Sequence, residues 1–132
     1  MIGLDTNVVI RYLMQDEKKQ FTSAEKIIES AIDQKKRLHI NLVIICEIVW
    51  VLSYHYELNR GEVKDFLNKL LHADQIEIEN RQLALSAFAE YQNSKADFAD
   101  CLIGLTNQST GCHTTYTFDK KAAKLSFFTL LS

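Results

Sequence analysis

The chain opens with a short apolar stretch, Met1 to Leu4, that stops at Asp5, after which Val8, Val9, Tyr12 and Leu13 recur with helical spacing. A strand followed by a helix is predicted. Between Asp16 and Lys36, the positions Phe21, Ala24, Ile27, Ile28, Ala31 and Ile32 form the single apolar stripe of a surface helix. Leu38 to Leu42 reads as a second strand. Leu42 to Tyr56 is rich in β-branched residues, which favour a strand, but it far exceeds the roughly five or six residues of a typical strand, so length decides for a helix. Asn59 offers an N-cap to a helix carrying Val63, Phe66, Leu67, Leu70 and Leu71 on one face. Ile76 to Ile78 reads as a third strand. Leu83, Ala84, Ala87, Phe88 and Tyr91 mark another helix, and Phe98 through Leu105 a further one ending near Gly111. His113 to Phe118 alternates like a strand, Lys120 to Leu125 fits a short helix, and Phe127 to Leu131 supplies a last edge strand.

Short apolar strands alternating with helices imply βαβ connections and a mainly parallel sheet covered on both faces. The expected fold is therefore α/β, a three-layer sandwich whose central, mainly parallel sheet has about five short strands flanked by helices. Without proline, repeat or linker, residues 1–132 read as a single domain. Hydrophobic residues at 47% and charged residues at 24% exclude a disordered chain. Glu47 and His55 interrupt the most apolar stretch, so no membrane-spanning helix is expected, and the N-terminus lacks the pattern of a targeting signal. Three cysteines, Cys46, Cys101 and Cys112, form no CxxC pair and read as small buried hydrophobes in a reducing compartment, which points to the cytoplasm. The formal net charge of -2 excludes a protein held on nucleic acid by charge alone. Basic clusters at Lys18 and Lys19, Lys35 to Arg37, and Lys120, Lys121 and Lys124 read as solvated surface.

The charge that matters is acidic. In parallel sheets ligands bind beyond the carboxyl ends of the strands, and Asp5 and Asp119 each follow a predicted strand. Each also begins a helical segment, where an aspartate serves as a cap. Glu47 lies inside an apolar run, so it is expected to be desolvated and therefore neutral, paired with a cation such as Arg11 or a lysine, or bound to metal. Asp97 and Asp100 stand three apart at a helix start, one placed to cap and the other to face a site. Carboxylates gathered without matched basic residues suit a hard divalent cation, magnesium or manganese. His39, His55, His72 and His113 have no zinc spacing. Such an ion activates water for phosphodiester cleavage and turns an anionic pocket into one that accepts phosphate. Tyr12, Trp50, Tyr54 and Tyr56 are expected mainly in the core, with base stacking as their alternative.

Taken in order, Met1-Ile-Gly-Leu-Asp-Thr-Asn7, Glu47 followed by Trp50-Val-Leu52, Asp97-Phe-Ala-Asp-Cys-Leu-Ile103, and Thr117-Phe-Asp119 resemble the PIN-domain ribonucleases of the VapC toxin type over essentially the whole chain. The resemblance implies an acidic quartet, Asp5, Glu47, Asp100 and Asp119, that binds magnesium or manganese for RNA hydrolysis. It favours Asp100 over Asp97, which stays as an auxiliary acid, because Asp100 directly precedes the apolar Leu102-Ile103 segment. Thr6, Asn7 and Thr117 match positions beside the metal site, where they orient a carboxylate or water or else serve turns and caps. The resemblance also implies an RNA substrate, a cognate VapB-like antitoxin and a homodimer. A haloacid-dehalogenase-like phosphatase would carry an aspartate where Asn7 stands, and a receiver domain would want a better-placed lysine than Lys120. A nuclease outside any toxin system, or an inactive partner-binding module of the same fold, remain the alternatives.

Overall fold

The computed structural model describes residues 1–132, and the chain packs as two compact units, Met1–Glu79 and Asn80–Ser132. In the first, β1 (Ile2–Gly3) leads into α1 (Thr6–Met14) and α2 (Lys18–Asp33), then β2 (Leu38–Ile40). Next come α3 (Leu42–Trp50), which continues as a π-helical turn over Val51–His55, then α4 (Arg60–Leu71) and β3 (Ile76–Ile78). The three strands form a parallel sheet in the order β1-β2-β3, with Leu38 opposite both Ile2 and Ile76. Parallel neighbours cannot be joined by tight turns, so the helices serve as crossovers. Beyond the paired residues, Ile2 N–H donates to the Arg37 carbonyl and Leu4 N–H to that of His39, which fastens the chain up to the residue before Asp5. Ile40, Ile45, Ile48, Leu52, Val63 and Leu67 are fully enclosed in this unit's core.

The helix starts of this unit are capped by side chains. Asp5 accepts from Thr6 N–H, Glu17 from Gln20 N–H, and Asn41 from Ile44 N–H, while Asn59 and Glu62 complete a reciprocal capping box. Helix α1 ends on Gln15 in the left-handed conformation, φ 55°, a role usually taken by glycine. Arg11 pairs with Asp16 at 3.0 Å and donates to the Tyr56 hydroxyl at 2.6 Å, while that hydroxyl donates to Asp16. This cluster ties the α1–α2 turn to the end of the π segment. It also holds the Asp16 carboxyl below its ordinary range, chiefly through the Tyr56 hydrogen bond. Arg11 is therefore spent here and is not the counter-ion of Glu47.

The second unit comprises α5 (Arg81–Gln92), α6 (Phe98–Ser109), β4 (Thr115–Thr117), a 3₁₀ turn over Ala122–Lys124, and β5 (Phe128–Leu130). β4 and β5 are parallel partners, Thr115 facing Phe128. Tyr91 meets Phe98 edge-on at 5.9 Å, joining the end of α5 to the start of α6. Both units are thus helices around parallel strands, as expected. The five strands, however, are divided three and two, each strand is only two or three residues long, and the helix expected at Lys120 to Leu125 is a single 3₁₀ turn. The cysteines are free: Cys101 is buried and Cys46 partly so, but Cys112 is exposed, against the expectation of a buried hydrophobe, because it stands in the turn after α6.

Gly104 in α6 is the close-contact point of the second unit. A Cβ there would overlap the rings of Phe127 and Phe128. Gly104→Ala is expected to cost about 1–3 kcal/mol through overpacking, outweighing alanine's better helix propensity. Thermal unfolding checks this, and a midpoint equal to or above that of the parent contradicts it.

Candidate active site

In the first unit, Asp5 stands immediately after the β1 ladder, at the N-cap of α1, with Oδ1 accepting from Thr6 N–H at 2.8 Å. The capping and functional readings of Asp5 are therefore compatible, because only one of its oxygens is taken up. The buried Thr6 hydroxyl reaches across to α3 and donates to Oε2 of Glu47 at 2.7 Å. Thr6 thus links the two acids of this unit, its amide holding one and its hydroxyl the other.

Glu47 is exposed, contrary to the expectation of burial. The apolar run around it is a helix with one face in the core, Ile45, Ile48, Val49 and Leu52, while Val43, Glu47, Trp50 and Tyr54 lie on the outer face. Residues spaced by three and four share a helix face, so the hydrophobic neighbours of Glu47 in sequence are not its neighbours in space. Of the four aromatic residues expected mainly in the core, Trp50 and Tyr54 are exposed. Tyr12 and Tyr56 are half-buried, and their hydroxyls donate to Glu29 and Asp16 respectively. Glu79, which the sequence reading did not single out, accepts from Leu42 N–H at 3.0 Å and helps fasten the start of α3. Its position directly after β3, next to the strand that leads into α3, was the available clue. Asn7 is exposed on α1.

In the second unit, Asp97 occupies the N-cap position of α6 without a capping hydrogen bond from its side chain, and Asp100 lies in the helix's first turn. Asp119 follows β4, and its Oδ1 accepts from the amides of Lys121 and Ala122 at 2.8 and 2.9 Å. Thr117 Oγ1 accepts from Asp119 N–H at 3.0 Å, so Thr117 shapes the turn that carries this acid. Asp100 is half-buried, and its carboxyl is pushed above the ordinary aspartate range first by desolvation, then by the charges of Asp119 and Asp97. That separates the pair in character: Asp97 is exposed, whereas Asp100 has lost water and faces two like charges.

No three His, Cys, Asp or Glu side chains are drawn together as a ready-made metal cage. The donor chemistry nonetheless fits a hard divalent cation. Asp100 is destabilised as an anion by burial and by two other aspartates, a condition that a bound cation relieves.

The PIN domain family matches residues 2–128, and the chain belongs to that family. Similarity extends to a VapC ribonuclease of Aquifex aeolicus (strain VF5), 24% identical over 127 residues, which cover 96% of this chain and 93% of that protein. No helix is long and apolar enough to cross a membrane.

Replacing Asp119 by asparagine removes one of the two like charges that raise Asp100. Titration of the Asp100 carboxyl by NMR in metal-free protein is expected to shift to lower pH in Asp119→Asn yet stay above the ordinary aspartate range, since desolvation persists. An unmoved titration contradicts the electrostatic coupling.

Proposed function

We propose that the protein is an endoribonuclease dependent on magnesium or manganese and that it acts as the toxin of a toxin–antitoxin pair. The observation that carries this reading is the kinship with a VapC ribonuclease along 96% of the chain, with Asp5, Glu47, Asp100 and Asp119 all present in the order the family pattern requires. The same kinship supports treating residues 1–132 as one functional domain in the cytoplasm. Its assigned partners are an RNA substrate, a VapB-like antitoxin and a second copy of the chain. A cleft of about 700 Å³ walled by α1, α2 and α4, with Tyr12, Leu13, Ile32 and Phe66 inside and Glu29, Glu62 and Asp65 among its polar lining, suits an amphipathic antitoxin segment.

In this mechanism Asp5, Glu47, Asp100 and Asp119 are the acids that would hold the ion, with Asp97 auxiliary. When bound, the ion supplies an activated water and charge stabilisation for phosphodiester hydrolysis. The chain's own groups set the orientation of the acids. Thr6 holds Glu47 through its hydroxyl and Asp5 through its amide. The amides of Lys121 and Ala122 hold one oxygen of Asp119, and partial burial beside Asp119 and Asp97 disfavours the charged form of Asp100, a cost that a bound cation would offset.

Purified protein incubated with RNA is expected to cleave it with magnesium or manganese and to stop on chelation. Asp5→Asn is expected to abolish cleavage. Survival of activity under either condition contradicts the proposal.

Thr6→Val removes the hydroxyl that holds Glu47, and metal affinity or activity should fall about 10–100-fold, with Thr6→Ser retaining most of it. Metal titration by calorimetry beside the cleavage assay checks this. An unaffected valine variant removes Thr6 from the mechanism.

A further inference from the structure

The outer face of α3 carries an aromatic pair that the proposed chemistry does not use. Trp50 is 60% exposed and Tyr54 63% exposed, with ring centroids 5.6 Å apart and planes tilted by 42°. Large aromatic rings left in water are informative because their burial is worth so much. The tilt matters too, since two rings inclined to one another do not close over each other's faces. Trp50 ends α3 and Tyr54 lies in the π turn that follows, an irregularity often found at functional sites. Tyr56 N–H donates to the Val51 carbonyl, one residue beyond the normal helical partner, so the turn is widened where Tyr54 is presented.

The same face carries Glu47. Trp50 follows it by three residues, and side chains so spaced are surface neighbours. A base resting on Trp50 would therefore lie beside the carboxylate assigned above to holding the ion. We propose that Trp50 and Tyr54 form a stacking platform for unpaired bases of an RNA substrate, selecting single-stranded RNA and setting its register against Glu47. This rests on the ribonuclease reading above. Aromatic faces take any base, and sequence-tolerant stacking of this kind is how proteins hold single strands.

A second copy of the chain is the rival occupant of this face, and Glu47 argues against it. Its carboxylate sits in the middle of the stripe formed by Val43, Trp50 and Tyr54, and its one hydrogen bond among these contacts comes from Thr6. A dry protein interface over the stripe would desolvate an incompletely paired charge. A strand of RNA leaves that carboxylate to the metal and phosphate.

Trp50 is the chain's single tryptophan, so intrinsic fluorescence reads the platform directly. With magnesium present and cutting prevented by Asp5→Asn, a single-stranded oligoribonucleotide is expected to quench the emission saturably, while an abasic oligonucleotide of equal length is not. With Asp5 intact, Trp50→Ala should lose about fivefold to a hundredfold in kcat/KM on single-stranded RNA, Trp50→Phe should keep most of it, and Tyr54→Ala should fall between. Circular dichroism confirms that each variant is folded. Absence of quenching, or an alanine variant that cuts RNA as well as the parent, overturns the platform while leaving the nuclease standing. Sedimentation showing that Trp50→Ala converts a dimer to monomers gives the face to a second copy and likewise overturns it. Quenching by RNA in a protein that cleaves nothing supports the platform and refutes the enzymatic reading instead.

Discussion

Everything at the first unit's acidic edge depends on the parallel ladder between β1 and β2. β1 is only two residues long, yet the bonds from Ile2 N–H to Arg37 and from Leu4 N–H to His39 extend its hold to the residue before Asp5. A strand alternates its side chains, so Leu4 enters the core and Asp5 emerges. A slip of one residue would reverse that placement, bury a carboxylate and expose a leucine. The hydrophobic demand of Leu4 thus guards the position of Asp5. Thr6 comes next, and as the first residue of α1 it has its amide free for Asp5 and its hydroxyl free for Glu47.

Much of this was legible in the chain's pattern. Ile76–Ile78 forms the predicted strand, Asn59 caps the predicted helix, and Phe98 begins the helix that carries Asp100. Less legible were the features that depend on contacts distant in sequence. The division of five strands into three and two follows from which backbone groups find partners, and strands of two or three residues leave little periodicity to read. Helix ends were blurred for a different reason: Gln15 and Lys35 take positive φ without being glycine, so the usual punctuation is missing. The burial expected of Glu47 failed because a run of apolar residues in a helix does not enclose every member of the run. Its outer face is the very place where a carboxylate and two aromatic rings are free to meet a substrate.

The two acidic groups are held in different ways. In the first unit the acids are oriented by hydrogen bonds from one residue, Thr6, and Glu47 remains in water. In the second the acids are set against one another, and Asp100 feels both lost hydration and like charge. Residue chemistry alone leads from these facts to carboxylates of a kind suited to a hard cation. Family membership adds the nuclease class, and the ribonuclease and toxin readings rest on kinship with VapC.

Helix α3 is anchored at both ends. Its first turn is fastened by Asn41 and Glu79, which satisfy the amides of Ile44 and Leu42, and the widened π turn at its far end runs into Tyr56, whose hydroxyl is held between Arg11 and Asp16. Mechanically it is a beam supported at both ends, with Ile45, Ile48 and Leu52 bedded in the core along its length. Glu47, Trp50 and Tyr54 therefore project from a stiff element, so that the spacing of the carboxylate and the two rings is set by the helix and not by whatever meets them.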